Sequence, residues 1–329
     1  MLLVGLLGSD KLAGLNHFAL PKTLLVCVVM GLMALPIPFE LIRRSLARPW
    51  PAILASLINM GGIPALSWLA ATSLSASLGG GLIVAATIPC TLASAAVWTR
   101  RAGGDDTVAI LVTLITNMAC VVVTPLWLVA LLGQNVKIEI GPLITELCIV
   151  VLLPMAIAQG LRKFRPLAEW AERRKSALGI VCQLGILCMV FLGAIQMGTP
   201  VSSNAVRSAS EAVVIADRAE TGSGLLGYWE IAWTIVLTMA IHLVAMAVGW
   251  NLAAGTGVAR PQRIGVAIAG SQKTLMIGLK MAMDCGVSIL PMVIYHIGQL
   301  FLDTIIADRW KDHGKKTVLE GTITSPAAR

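Results

Sequence analysis

The residues best equipped for chemistry are Ser271, Gln272, Lys273 and Thr274, a polar run inside the apolar stretch "AIAGSQKTLMIGLKMA" (267–282). Successive residues on a helix point about 100° apart, so four in a row cover every side. No rotation of a helix hides them all from lipid. The segment is expected to be enclosed by protein or water, with its backbone partly unwound, because irregular backbone at membrane depth is tolerated only there. A lysine in hydrocarbon costs about 3 kcal/mol on insertion scales and marks a functional position by default. A second interrupted stretch, "GGGLIVAATIPCTLASAAVWT" (79–99), carries Pro89 in its interior, followed by Thr91 and Ser94. Proline removes a backbone donor and breaks the helical ladder.

The elements that must hold these residues follow from composition. The 329-residue chain is 57% hydrophobic and 13% charged, with mean hydropathy +0.84. Soluble domains carry about a quarter charged residues, so an all-α polytopic membrane protein is expected. The net charge of +8 is read as basic cytoplasmic loops, not as a nucleic-acid surface. The seven cysteines form no CxxC pair and indicate neither zinc nor a disulfide framework.

Apolar runs place nine spans at about 23–39, 51–71, 78–99, 107–132, 143–161, 177–197, 228–252, 263–283 and 286–307. Basic residues test the alternation. Arg43, Arg44, Arg48, Arg100, Arg101, Arg162, Lys163, Arg165, Arg173, Arg174, Lys175, Arg260 and Arg263 share one side with the C-terminal tail. That side holds 18 of the 25 basic residues, so the positive-inside rule makes it cytoplasmic. The C-terminus is then inside, in the cell (inner) membrane if the source is bacterial, and the first span starts outside. "MLLVGLLG" reads either as the end of an earlier helix or as a short leader. The 198–226 loop reads as a flexible connection and the tail from Lys311 as disordered.

A Pro or Gly in one spanning helix is by itself a kink, and one serine bonds back to its own helix. The pairing of the two interrupted spans says more. With one earlier helix counted as the first of ten, they become the fourth and ninth, the same place in two five-helix halves. Matching interrupted helices point to an inverted-repeat transporter with its site at mid-membrane.

Three blocks carry a resemblance to a known family. "IPCTLASAAVWTRRAGGDDTVAILVTLITNMACVVVTPLWL" (88–128) resembles the fourth and fifth helices of the bile acid:sodium symporter family, in its bacterial symporter-like branch. "RIGVAIAGSQKTLMIGLKMA" with "ILPMVIYHIGQL" resembles the ninth and tenth, and "MGLMALPIPFELIRRSL" (30–46) the second. The resemblance implies a 5+5 inverted repeat with core and panel domains and with broken, crossing fourth and ninth helices. It also favours reading 1–22 as the remnant of a first helix, 23–132 as the first repeat, 143–307 as the second and 308–329 as a cytoplasmic tail. Sodium-binding positions carried over by motif fall on Asn59, Ser94, Thr113 and Gln272. Three positions depart: Ala95 stands where an asparagine is common, Ala109 where a serine is, and Ile268 where sodium-coupled members have a glutamate. Two complete sodium sites are then short of oxygen ligands.

Lys273 admits three functional readings. It replaces a bound sodium, held by Ser94, Thr113, Asn117 and carbonyls. It meets the anionic group of a substrate. Or it loses its proton on burial and couples transport to protons. Snorkelling to an interface fits its central position less well. The acids within spans, Glu146, Glu230 and Asp303, do not belong to the fourth or fifth helix, so no ion-pair partner is evident. An organic-anion site around Lys273 is the leading reading, with Thr91, Ser271 and Thr274 beside it. Asn117 lies four residues from Thr113, on one face. His296 is a further candidate, and His242 has no motif support. The expected function is a secondary transporter of a small organic anion, coupled to sodium or protons. Its partners are that anion and membrane lipid, not nucleic acid; no cofactor is expected beyond a sodium ion, and oligomeric state is open. A regulatory or sensory protein of the same fold is the alternative. An intramembrane enzyme is disfavoured, since the sequence has no HExxH, no GxSxG and no aspartate pair within spans.

Overall fold

The computed structural model describes residues 22–38, 40, 49–92, 94–133, 139–198 and 224–324. The N-terminal segment up to residue 21, Arg43, Arg44, Arg48, most of the 198–226 loop and the last five residues of the tail lie outside them. Side chains of 313–324 lie outside as well.

The described residues form twelve helices: α1 (Lys22–Ala34), α2 (Trp50–Ala71), α3 (Ala76–Thr87), α4 (Ser94–Arg101), α5 (Asp106–Leu132), α6 (Ile140–Leu161), α7 (Arg165–Arg173), α8 (Lys175–Gly198), α9 (Gly224–Gly255), α10 (Arg260–Ser271), α11 (Leu275–Asp284) and α12 (Leu290–Thr324). Six of them, α2, α5, α6, α8, α9 and α12, are long and apolar enough to cross a membrane, while α1 and α3 are shorter apolar helices. The chain is an integral, multi-pass membrane protein. Its polarity is inverted accordingly. Leu57, Leu69, Leu126, Ile157, Leu184 and Phe301 are exposed, whereas Asn59, Asn117, His242, Gln272, Lys273, Gln299 and Asp303 are fully buried. Aliphatic side chains outside and polar ones inside suit a lipid solvent, in which exposed polar groups find no partners.

The two spans expected to be interrupted, 78–99 and 263–283, are each a pair of helices. α3 and α4 are separated by the stretch from Ile88, and α10 and α11 by residues 272–274. The backbone is extended at Ile88, Gln272 and Thr274. The tail is more ordered than its composition suggested, because α12 continues to Thr324. Lysines there oppose membrane burial, yet they are good helix formers.

α2 to α5 and α9 to α12 pack as one group, and α1 packs against both α6 and α8. α11 touches both groups, through α1 and α8 on one side and α3 and α12 on the other. A large aliphatic core fills this junction, with Val29, Met30, Leu147, Met189, Met276, Leu279 and Leu128 among its members. An ion pair between α11 and α6 crosses it. The buried Lys280 of α11 donates to Glu146 of α6, and to Asp284 on its own helix at 2.7 Å.

At the basic end, Asp105 caps α5 by accepting from the Thr107 amide (3.0 Å), which leaves it structural. Arg100 pairs with Asp106, and Arg101 makes a two-pronged pair with Asp308 of α12 at 2.7 and 2.8 Å.

Close backbone approach fixes α3 against the start of α12. A Cβ on Gly81 would lie 2.1 Å from the Ser288 carbonyl oxygen, whereas one on Gly141 would meet nothing within 4 Å. Overpacking of this kind costs about 1–3 kcal/mol. Gly81→Ala is therefore expected to lower the thermal midpoint in detergent. Gly141→Ala should leave it unchanged or raise it slightly, through helix propensity.

Candidate functional site

The two breaks meet. In the first, every carbonyl from Thr87 to Thr91 finds a partner on α5 or in the second break. Thr87 O accepts from Thr124 Oγ1 (2.6 Å), Ile88 O from Lys273 Nζ (2.9 Å) and Pro89 O from the Thr274 amide (2.9 Å). Cys90 O accepts from Asn117 Nδ2 (3.0 Å), and Thr91 O from Thr113 Oγ1 (3.1 Å). The Cys90 amide donates to Thr116 Oγ1 at 3.2 Å. Thr113, Thr116, Asn117 and Thr124 all belong to α5, at spacings that keep them on one face. That face replaces the hydrogen bonds that Pro89 removes.

The second break is covered in the same manner by α12. Tyr295 OH donates to Ser271 O at 2.9 Å. Gln299 clamps the backbone of Lys273: its Oε1 accepts from the Lys273 amide (2.8 Å) and its Nε2 donates to Lys273 O (2.9 Å). Gln272 O accepts from Asn59 Nδ2 at 2.8 Å, and the same amide reaches Gly270 O at 3.2 Å. Asn59 thus caps the C-terminal end of α10, whose last carbonyls lack intrahelical donors.

Asn59 sits in a π-helical turn, Ile58–Gly62. The Ile63 amide, which would serve Asn59 O in an α-helix, goes to Ile58 O. The next donor in the π register would come from residue 64, a proline. Asn59 O is left without a helical donor, and Lys273 Nζ takes it at 2.6 Å. The ammonium also donates to Asn59 Oδ1 (3.1 Å) and Ile88 O (2.9 Å). It therefore bridges α2, the first break and the second. All its acceptors are neutral, and no carboxylate among the described residues pairs with it.

A carboxylate lies one side chain away. Gln272 Nε2 donates to Asp303, and Gln272 Oε1 accepts from Ser94 Oγ at 2.9 Å. The other Asp303 oxygen lies 3.0 Å from His242 Nε2, while His242 Nδ1 lies 3.2 Å from Ser271 O. A carbonyl only accepts, so Nδ1 carries a proton. The Nε2 contact needs one more, held by either partner. The Asp303 carboxyl is thus held by Gln272 and His242, not by Lys273.

The structure brings the expected residues to the crossing in different roles. Asn59 contacts Lys273 directly. Ser94, Thr113 and Asn117, the side chains expected around the ammonium, bind Gln272, Thr91 O and Cys90 O instead. Thr91 and Thr274 contribute through backbone, and Ser271 Oγ bonds back to Ala267 O at 2.9 Å. His296 is half-buried and reaches Gln299 Nε2 at 2.9 Å. The four positions carried over for sodium do not converge on one shell, because the Asn59 oxygens face the ammonium. Tyr295, Gln299, His242 and Asp303 were missed as site residues. The 3- and 4-residue spacing of His296, Gln299 and Asp303 along one face of α12 was the available signal.

Broken helices meeting around buried polar groups inside a multi-pass membrane protein define a membrane-transport architecture. The chain belongs to the SBF-like CPA transporter family, whose model matches residues 50–312. It is 22% identical over 265 residues to the sodium/bile acid cotransporter 7 of Danio rerio, covering 77% of this chain and 72% of that protein. It is 23% identical over 247 residues to the Arabidopsis thaliana protein named "Probable sodium/metabolite cotransporter BASS4, chloroplastic". That match covers 72% of this chain and 53% of the plant protein, so the chain spans about half of that relative's length. A Pseudomonas aeruginosa protein, PA2026, is 26% identical over 247 residues, covering 70% of this chain and 65% of that one.

Gln299→Leu removes both arms of the clamp and orphans a buried amide and a buried carbonyl. Each such group costs about 1–3 kcal/mol. Thermal unfolding is expected to show a loss larger than for His296→Leu, which removes one side-chain contact.

Proposed function

We propose that the chain is a secondary active transporter that moves a small organic anion by alternating access, driven by a sodium or proton gradient. One observation carries the reading: two broken helices meet, and each break is covered by the polar face of the helix that follows it. α5 serves the α3–α4 break and α12 serves the α10–α11 break. That equivalence is what two inverted halves, 23–132 and 143–307, would produce, with α3–α4 and α10–α11 as the fourth and ninth helices of a ten-helix plan. Nine spans are then present, α1 and the two broken helices included. The end bearing Arg100, Arg101, Arg162 and Arg260 is cytoplasmic, and so is the C-terminus; in a bacterium the membrane is the inner one.

The anion follows from charge and from the relatives. The N-termini of α4 and α11 begin at the crossing, where helix ends favour negative charge. Lys273 adds a positive centre that no carboxylate cancels directly. The Danio rerio relative is named for bile acid, an organic anion. Asn117 Oδ1 is buried and has no donor in the structure, while its amide group is committed to Cys90 O and Thr113 O. A transported species or its water would supply the missing donor.

Purified protein in proteoliposomes is expected to take up a bile acid or small carboxylates under an imposed sodium or pH gradient. Uptake indifferent to both gradients, across a broad anion panel, would sink the proposal and leave a regulatory role. Asn117→Leu is expected to lower uptake about tenfold, the effect of losing one buried hydrogen bond to a bound solute, and to lower the unfolding midpoint as well, because it also removes the amide donor to Cys90 O.

A further inference from the structure

The reading above makes the crossing a transport site, and it raises the question of what occupies the oxygens at its centre. We propose that Lys273 is a tethered cation: its ammonium fills a monovalent-cation site built by Asn59 O, Asn59 Oδ1 and Ile88 O, where a free sodium ion would otherwise sit. The proposal rests on that reading for its functional meaning, but its geometry stands independently.

Donor and acceptor numbers match. A lysine ammonium has three donors and no acceptor. Three oxygens receive them, at 2.6, 2.9 and 3.1 Å. Both carbonyls lack helical donors for reasons of sequence. Asn59 O loses its partner to the π turn and Pro64, and Ile88 O loses its partner because the helix stops before Pro89. Neutral carbonyl and amide oxygens that have lost their helical donors are the chemistry that replaces the water shell of a desolvated monovalent cation. Without a cation these oxygens would be buried and unsatisfied.

The tether is short and fixed. Gln299 holds the Lys273 backbone on both sides, and the Thr274 amide is hydrogen-bonded to Pro89 O. Lys273 is fully buried. The amine therefore cannot leave this position, and no ion need be loaded or released here in a transport cycle. A sodium requirement, if uptake has one, originates elsewhere in the molecule. The same enclosure means that an anion at the crossing feels this charge without touching the ammonium in this conformation.

Lys273→Ala deletes the charge and opens a space the shape of n-propylammonium. The experiment is thermal unfolding in detergent of the wild type, Lys273→Ala and Lys273→Met, each with n-propylammonium or sodium chloride against choline chloride at tens of millimolar. The alanine variant is expected to melt lower than the wild type in choline. Its midpoint should rise saturably by several degrees with n-propylammonium, as a ligand selective for the folded state requires. The wild type should ignore n-propylammonium. The methionine variant should ignore it too, because its stem fills the space. Adding Asn59→Ala should abolish the response of Lys273→Ala.

A flat response of Lys273→Ala, or an equal response from Lys273→Met, overturns the proposal. So does failure to isolate both Lys273→Ala and Lys273→Ser in the presence of n-propylammonium. This readout needs no transported solute. A protein that moves no anion yet shows the rescue would refute the transport reading and keep the tethered cation; the opposite pair of results would do the reverse.

Discussion

The contact between the Lys273 ammonium and the oxygens of Asn59 and Ile88 holds the rest of the structure in place. Two helices cannot stop and restart inside a bilayer unless the peptide groups at each gap are satisfied by something other than water. The gaps here satisfy one another. The Thr274 amide serves Pro89 O, Lys273 serves Ile88 O and Asn59 O, and the Asn59 amide serves Gln272 O. Neither break is self-sufficient. Removal of the lysine from one would leave buried acceptors on the other, and each orphaned group costs a large fraction of a membrane protein's modest stability.

The two buried lysines of α10–α11 show two physical solutions to one problem. Lys280 answers its charge with carboxylates, Glu146 across the α11–α6 junction and Asp284 one turn along. That arrangement neutralises charge and ties two groups of helices together. Lys273 answers its charge with neutral oxygens. That arrangement satisfies its hydrogen bonds and leaves the charge in the protein. A buried cation without a counter-ion is costly unless its environment is strongly dipolar, and carbonyls freed by a π turn and a helix break provide those dipoles. The first solution is structural; the second stores an electrostatic field at the crossing.

Much of this was legible in the sequence, and the limit has a physical form. Four consecutive polar residues, and a Pro inside an apolar run, marked both breaks because no continuous helix could bury them. Thr113 and Asn117, four apart, marked the face of α5 that covers one break. The partners of Lys273 were not legible, because two of its three acceptors are backbone carbonyls, that of Asn59 on α2 and that of Ile88. A carbonyl has no letter in the sequence; only the helix geometry that exposes it can be read. "INMGGIP" (58–64) held that information in its proline, but the π register that turns a lost donor into a free acceptor depends on packing against α10 and α5. His242 was set aside for want of a motif and proves to be the partner of Asp303. The two are 61 residues apart in the chain, and only the meeting of α9 and α12 pairs them.

The His242–Asp303 pair and Lys273 also separate two tasks that a bound ion would combine. A cation at the junction of two helix breaks screens the partial charges of the helix ends and attracts an anionic solute. Lys273 does the first through direct hydrogen bonds and offers the second through its field. It cannot, however, depart down a gradient. The free-energy input of a transport cycle must then enter through a group able to exchange with water when the site opens. Among the described residues at the crossing, Asn117 has a buried oxygen without a donor, and its amide nitrogen is bonded to Cys90 O of the α3–α4 break. The lysine and the open acceptor thus lie on different elements: Lys273 sits in the α10–α11 break, and Asn117 of α5 offers the acceptor that the proposed transport cycle would use.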